Sequence, residues 1–177
     1  AYGDQAKHIF AIETGMSSDP AMNWRLSQLD NISLISNSDS HSPWPWRLGR
    51  ECNAFEFKDE KVSFDSLFDA VKKRDKRFAF TVEVDPSYGK YHVDGHRNCN
   101  FSCEPLESKK LSGICPKCKK PLTIGVLNRV EELADREEGF KPKNAVDFKT
   151  LLPLHELIST VLGAQLYTQK VSSKGKE

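Results

Sequence analysis

Apolar positions in the first third of the chain fall into two short runs separated by one helical stretch. Residues 8–14 (HIFAIET) read as a strand that ends in the polar turn Gly15-Met16-Ser17-Ser18-Asp19-Pro20. Asp19 before Pro20 pairs an N-cap residue with a proline suited to the first helical turn, so a short helix is expected through Leu29. Residues 32–37 (ISLISN) then form a second apolar run, read as a buried strand. Strand, helix and strand at this spacing predict a β-α-β unit and a parallel sheet.

Residues 38–50 carry Pro43, Pro45, Gly49 and two tryptophans and read as a loop. Ser63 is placed to cap a helix whose apolar stripe is Phe64, Leu67, Phe68 and Val71, and residues 78–84 (FAFTVEV) alternate as a further strand. Around residues 85–95 the composition shifts to Pro, Gly, Tyr and His, which marks a boundary. Beyond it, 126–134 reads as a helix with Leu127, Val130 and Leu133 inward. A polar linker at 136–143 leads to a last helix at 153–162 with the stripe Leu154, Leu157, Ile158, Val161 and Leu162. The tail from Ser172 is rich in Ser, Lys and Gly and is expected to fray. The expected units are 1–86, 87–125 and 126–177.

The chain of 177 residues is 38% hydrophobic and 29% charged, enough apolar material for a packed core. No apolar run approaches the ~18 residues of a membrane span and no signal-peptide layout opens the chain, so a soluble, cytoplasmic protein without a membrane partner is expected. The first residue is not Met, which leaves a fragment or processed chain in view. A formal charge of +1 hides an uneven distribution. Residues 1–57 carry four Lys/Arg against seven Asp/Glu, and residues 99–130 carry six against two. An acidic half suits metal cations and a basic module suits phosphate, although a short basic stretch alone is more often plain solvated surface.

Two constellations carry chemistry. Cys99 and Cys103 are separated by three residues and Cys115 and Cys118 by two, with eleven between the pairs. Two closely spaced thiol pairs on two turns supply the four soft donors of a tetrahedral zinc site, whereas disulfides would require an oxidising compartment that nothing in the chain indicates. The module has few large apolar residues, so a structural Zn²⁺, worth on the order of 10–16 kcal/mol in small modules, is expected to supply most of its stability. His96, three residues before Cys99, is the alternative to Cys103 as fourth ligand. Cys52 stands apart and reads as a core thiol.

The second constellation is Asn37, Asp39 and His41. Residues two apart on an extended chain point the same way, and these lie just past a strand of the predicted parallel sheet, where such folds place their chemistry. Asp39 and His41 make half of a metal site, and Glu13, at the end of the neighbouring strand, is a candidate addition. An isolated Asp-x-His is otherwise a capped turn with a surface histidine.

The stretch IETGMSSDPAMNWRLSQLD, followed by SNSDSHSP and LGREC, resembles the last third of a polymerase-and-histidinol-phosphatase (PHP) domain, a distorted (β/α)7 barrel with a centre of two or three metals. KYHVDGHRNC, with CPKCKKPLTIGVLNRVEELADR, resembles the zinc-containing extension of the endonuclease Q type of PHP protein, and together the matches run from about Phe10 to Gly163. The fold class implied is α/β: the C-terminal part of a PHP barrel, then a small four-cysteine zinc module and helices. The activity implied is DNA repair, by metal-dependent cleavage of the phosphodiester 5′ to deaminated bases such as uracil and hypoxanthine, and at abasic sites. In that scheme Asp39 and His41 belong to the catalytic centre and match the last metal-binding motif, with Zn²⁺, Mg²⁺ or Mn²⁺ there. Ser17 and Asn37, in flanking strand-end loops, are candidates to contact an everted base. The chain departs from the pattern in having no HxH motif and few barrel strands, which implies a fragment, inactive by itself, whose remaining barrel and C-terminal region lie elsewhere. Two other functions fit parts of the sequence: a PHP phosphoesterase acting on a small phosphorylated metabolite, and a non-catalytic zinc ribbon that binds nucleic acid or protein.

Overall fold

The computed structural model describes residues 2–44 and 47–165. Pro45 and Trp46 of the expected loop, and the tail from Ser172, lie outside the described residues. Among the described residues, three small sheets and five α-helices are arranged in a mixed α/β fold.

The β-α-β expectation holds. β1 (Ala11–Glu13) pairs in parallel with β2 (Ser33–Ile35), with Ala11 opposite Ser33 and Glu13 opposite Ile35. Between them, α1 (Pro20–Trp24) starts where Asp19 accepts a hydrogen bond from the Met22 amide at 2.7 Å. α1 is shorter than expected, and a 3₁₀ turn (Ser27–Leu29) continues it.

The second sheet contains two strands the periodicity did not show. β3 (Cys52–Phe55) runs antiparallel to β4 (Phe78–Glu83), and β7 (Asp147–Thr150) runs parallel to β4 on its other side. Both are four residues long, too short for alternation to stand out. Before β4, α2 (Phe64–Lys73) opens with a capping box in which Ser63 and Ser66 satisfy each other's backbone amides. Phe55 and Phe78 stack at 4.8 Å, and Phe57, Ala70, Phe78 and Val84 are buried.

Two expected apolar stripes are partly exposed, with Leu67, Val71, Ile158 and Leu162 half-buried. Phe64 of α2 is 79% exposed, and it stacks on Phe68, which meets Phe10 edge-on at 5.9 Å. This aromatic face lies beside β1, whose outer edge is unpaired among the described residues. In α5 (Leu154–Leu162), Leu154, Leu157 and Val161 are exposed and His155 is buried. Helical spacing makes a stripe, but burial needs a second surface to cover it, and none of the described residues does so.

The third sheet is the hairpin of β5 (Asp94–His96) and β6 (Phe101–Cys103), followed by α3 (Pro105–Lys110) and α4 (Val126–Leu133). The start of α4 is pinned to the hairpin. Asp94, fully buried, accepts hydrogen bonds from the Gly125 amide at 2.6 Å and from Asn128 Nδ2, while the Val126 and Leu127 amides donate to the carbonyls of Tyr91 and His92. A β-carbon on Gly125 would lie 2.4 Å from the Val93 carbonyl carbon, so only glycine permits this approach. The far end of α4 returns to the first sheet's helix. Arg25 pairs with Glu131 at 2.5 Å, Arg136 pairs with Asp30 through both guanidinium nitrogens, and Ser27 donates to Asp135.

One carboxylate is conspicuous in the interior. Glu51 is 2% exposed, and neither of its oxygens has a well-formed hydrogen bond. Burial pushes its pKa up to about 7, with the Val84 amide opposing and Glu83 reinforcing the shift. Its pKa is thus raised from 4.5 on folding, so its stabilising contribution is complete below about 4.5 and is lost as pH rises through about 7. Glu51→Gln is expected to raise the melting temperature at pH 8, by the equivalent of roughly 1–3 kcal/mol, and to leave it unchanged at pH 4.5. Thermal melts of both proteins across this range check the sign.

Candidate functional site

The C-terminal ends of β1 and β2 lie side by side because the two strands are parallel. The loops after them carry the four residues that the sequence singled out at this end. Asp39 and His41 face each other, with His41 Nε2 3.6 Å from Asp39 Oδ1, and both side chains are largely exposed. The chain does not reach them as an extended strand. Asp39 has φ +44°, a left-handed turn that ends the alternation after Asn37. Asn37 Oδ1 instead lies 3.4 Å from Asn53 Nδ2, and the Ser17 carbonyl lies 3.0 Å from His92 Nδ1. Glu13 is exposed, and among the described residues no third metal-ligating group closes on Asp39 and His41.

Beneath these loops is a polar network that sequence patterning missed. Glu83, at the end of β4, is fully buried and accepts hydrogen bonds from Thr81 at 2.7 Å and from Thr14 and Ser36 at 3.0 Å each. Burial raises the pKa of its carboxyl, and the three hydroxyls oppose that rise. Ser36 is also clamped by Asn53, which accepts from its amide at 2.9 Å and donates to its carbonyl at 2.7 Å. Arg50 joins the two loops, its Nη2 donating to the Ser38 carbonyl at 3.0 Å and touching Met16 Sδ. No local signal marks these roles, because every partner except Thr81 lies between 12 and 69 residues away in sequence.

At the other end of the molecule the thiols converge. One ligand atom each from His96, Cys99, Cys115 and Cys118 lie within 4.8 Å of one another, a set that could hold a metal ion such as zinc. His96 Nδ1 is 3.3 Å from Cys118 Sγ. Burial opposes ionisation of Cys115, but the Cys118 and Lys117 amides bring its pKa below the usual thiol value. Hydrogen bonds to Cys118, with burial, push Cys99 up to about 11. Three thiols and an imidazole held this close suit a cation that displaces thiol protons.

Cys103, expected as the fourth ligand, packs against Cys115 but is not one of the four residues whose ligand atoms converge. The β5–β6 register sets His96 opposite Phe101 and Asp94 opposite Cys103. The Cys103 side chain is buried in a small core with Cys115 and Leu122. His96 instead stands at the end of β5, directly before the 3₁₀ turn that bears Cys99. Lys117, counted with the basic residues, braces the first turn by donating to the Cys99 carbonyl at 2.9 Å. Lys109, Lys110, Lys119 and Lys120 remain exposed.

The fold is one found in lesion-specific DNA endonucleases. In particular, the chain is similar to Endonuclease Q, solved in complex with a 27-mer duplex substrate bearing an abasic lesion at the active site, at a TM-score of 0.84 and 37% identity. It is also similar to the lesion-specific endonuclease PfuEndoQ from Pyrococcus furiosus, at 0.82 and 37%. Each similarity covers 98% of this chain and 42% of the other. An uncharacterized protein of Methanocaldococcus jannaschii is 36% identical over 168 residues, 94% of this chain and 21% of its own length. YqxK of Bacillus subtilis, also uncharacterized, is 34% identical over 139 residues, 76% of this chain and 33% of its own. The chain thus spans less than half the length of each of these proteins. No family model matches it.

Metal analysis of purified protein is expected to find one zinc per chain, retained in Cys103→Ala and lost in His96→Ala and Cys115→Ser. Zinc retained in Cys115→Ser with an unchanged melting profile would exclude the cluster.

Proposed function

We propose that this chain is part of a PHP-type, metal-dependent DNA repair endonuclease of the endonuclease Q kind, which nicks DNA 5′ to deaminated bases or at abasic sites. The observation that carries the reading is the similarity over 98% of the chain to Endonuclease Q bound to a lesion-bearing duplex. An identity of 37% along the same stretch, which includes the loops of Asp39 and His41, supports carrying that chemistry across.

In this reading residues 1–86 are the C-terminal portion of the barrel, 87–125 the zinc module and 126–177 a helical extension. The unpaired edge of β1 and the bare Phe64–Phe68 face support further barrel strands beyond this chain. Asp39 and His41 contribute two ligands to a divalent-metal centre completed by residues outside these 177. Metal bound there supplies an activated water and neutralises charge on the phosphate. Ser17 and Asn37 contact the everted base, extruded at a cost of about a few kcal/mol that is smallest where pairing is already damaged. The Glu83 network and Arg50 hold the two loops in register, and the exposed lysines of the zinc module meet the duplex backbone.

The full-length protein is expected to nick duplexes containing deoxyuridine or hypoxanthine in the presence of divalent metal. His41→Ala is expected to abolish nicking, with the melting temperature unchanged because the side chain is exposed. Gel assays on end-labelled duplexes check both, and full activity in the variant would remove His41 from the centre.

A further inference from the structure

The segment after β4 has no role in the function proposed so far, yet it is built tightly onto the candidate site. Asp85 opens it by accepting from the Ser87 amide and hydroxyl at 2.9 and 2.6 Å, which shapes the 3₁₀ turn Pro86–Tyr88. Gly89 then lies flat on the loop after β1. A β-carbon there would fall 2.1 Å from Ser17 Oγ and 2.6 Å from the Met16 carbonyl oxygen. On the far side, His92 Nδ1 contacts the Ser17 carbonyl, and the Tyr91 carbonyl accepts from the Val126 amide at the start of α4.

The backbone at Tyr91 is therefore fixed from two directions, and its ring nevertheless stands 58% exposed with the Lys90 ammonium 5.0 Å from the ring centroid. Tyr88, the other exposed tyrosine of this segment, is engaged through its hydroxyl with Glu156 at 2.6 Å. Tyr91 is the ring left to meet something from outside. A rigid aromatic face with a cation against it, two residues from the glycine that touches Ser17, matches what an unstacked base and its phosphate need.

We propose that Tyr91 is a base-stacking residue for the DNA substrate. It occupies the gap left beside the everted nucleotide, while Lys90 contacts a neighbouring phosphate. The inference rests on the endonuclease reading. It adds to that reading a residue that compensates for the lost base stacking, on the loop that also supports Ser17.

The test uses the full-length protein and a duplex with one abasic site and 2-aminopurine opposite it. Binding of the wild type is expected to quench the 2-aminopurine as the ring stacks. Tyr91→Ala is expected to weaken lesion binding by about tenfold and to remove the quench, with little effect on undamaged duplex. Tyr91→Phe keeps both properties. Lys90→Ala is expected to weaken lesion and undamaged duplex alike and to reduce the salt dependence by about one phosphate contact. Melting temperatures recorded alongside show that the variants are folded. Wild-type affinity and quench in Tyr91→Ala, in a protein that nicks the duplex, overturn the inference alone. A wild type that neither binds nor nicks the duplex overturns the endonuclease reading and the inference with it.

Discussion

The buried carboxylate of Glu83 holds the strand-end half of the molecule together. A fully buried acid is expensive unless hydrogen bonds meet its charge, and here Thr14 and Ser36 supply them from the ends of β1 and β2 and Thr81 from within β4. The first and second sheets share no continuous backbone ladder. Side chains take its place, with Ser36 Oγ sharing its one proton between the Glu83 carboxylate at 3.0 Å and the Val82 carbonyl at 2.8 Å, and Asn53 pairing with both backbone groups of Ser36. The loops bearing Ser17 and Asp39 grow directly from Thr14 and Ser36, so their spacing is set by one carboxylate. Arg50 ties the same loops together from above.

The other half depends on a different kind of anchor. Its core is little more than Cys103, Cys115 and Leu122, and Cys99 and Cys118 pack against it. So small a core needs a staple, and the four converging donors offer one. The module is also oriented by charge. Asp94 fixes the first turn of α4, and the Arg25–Glu131 and Arg136–Asp30 pairs fix its last turn against the region around α1. An arm held this way keeps its exposed lysines at a set position relative to the strand-end loops.

Much of this was legible in the residues themselves. Asp19-Pro20 and Ser63 announced two helix starts, and two apolar runs flanking a helix announced the parallel pair. Of the two thiol pairs, Cys99, Cys115 and Cys118 converge, as their spacing led one to expect, in a set that could hold a metal. The Asp39–His41 pairing was legible too, although by a wrong route: the extended chain assumed for it ends at Asn37, and the left-handed turn at Asp39 brings the two side chains together. β3 and β7 were not legible, because four-residue strands carry too little periodicity. The exposure of Phe64, Phe68 and the α5 leucines was not legible either, since spacing defines a face and says nothing of what lies opposite.

The sequence by itself determined those features whose partners are within a few residues: caps, turns, the β-α-β unit, the two cysteine turns and the basic character of the module. Only the tertiary structure set His96, rather than Cys103, beside the thiols of Cys99, Cys115 and Cys118, because His96 adjoins the turn that bears Cys99 whereas Cys103 lies at the far end of β6, packed with Leu122. It alone gathered Thr14, Ser36, Asn53 and Glu83 into one network and laid Gly89 against Ser17. The physical reason is the same in each case. Local geometry follows from neighbouring residues, whereas a site assembled from strand ends tens of residues apart exists only once the strands have found their order.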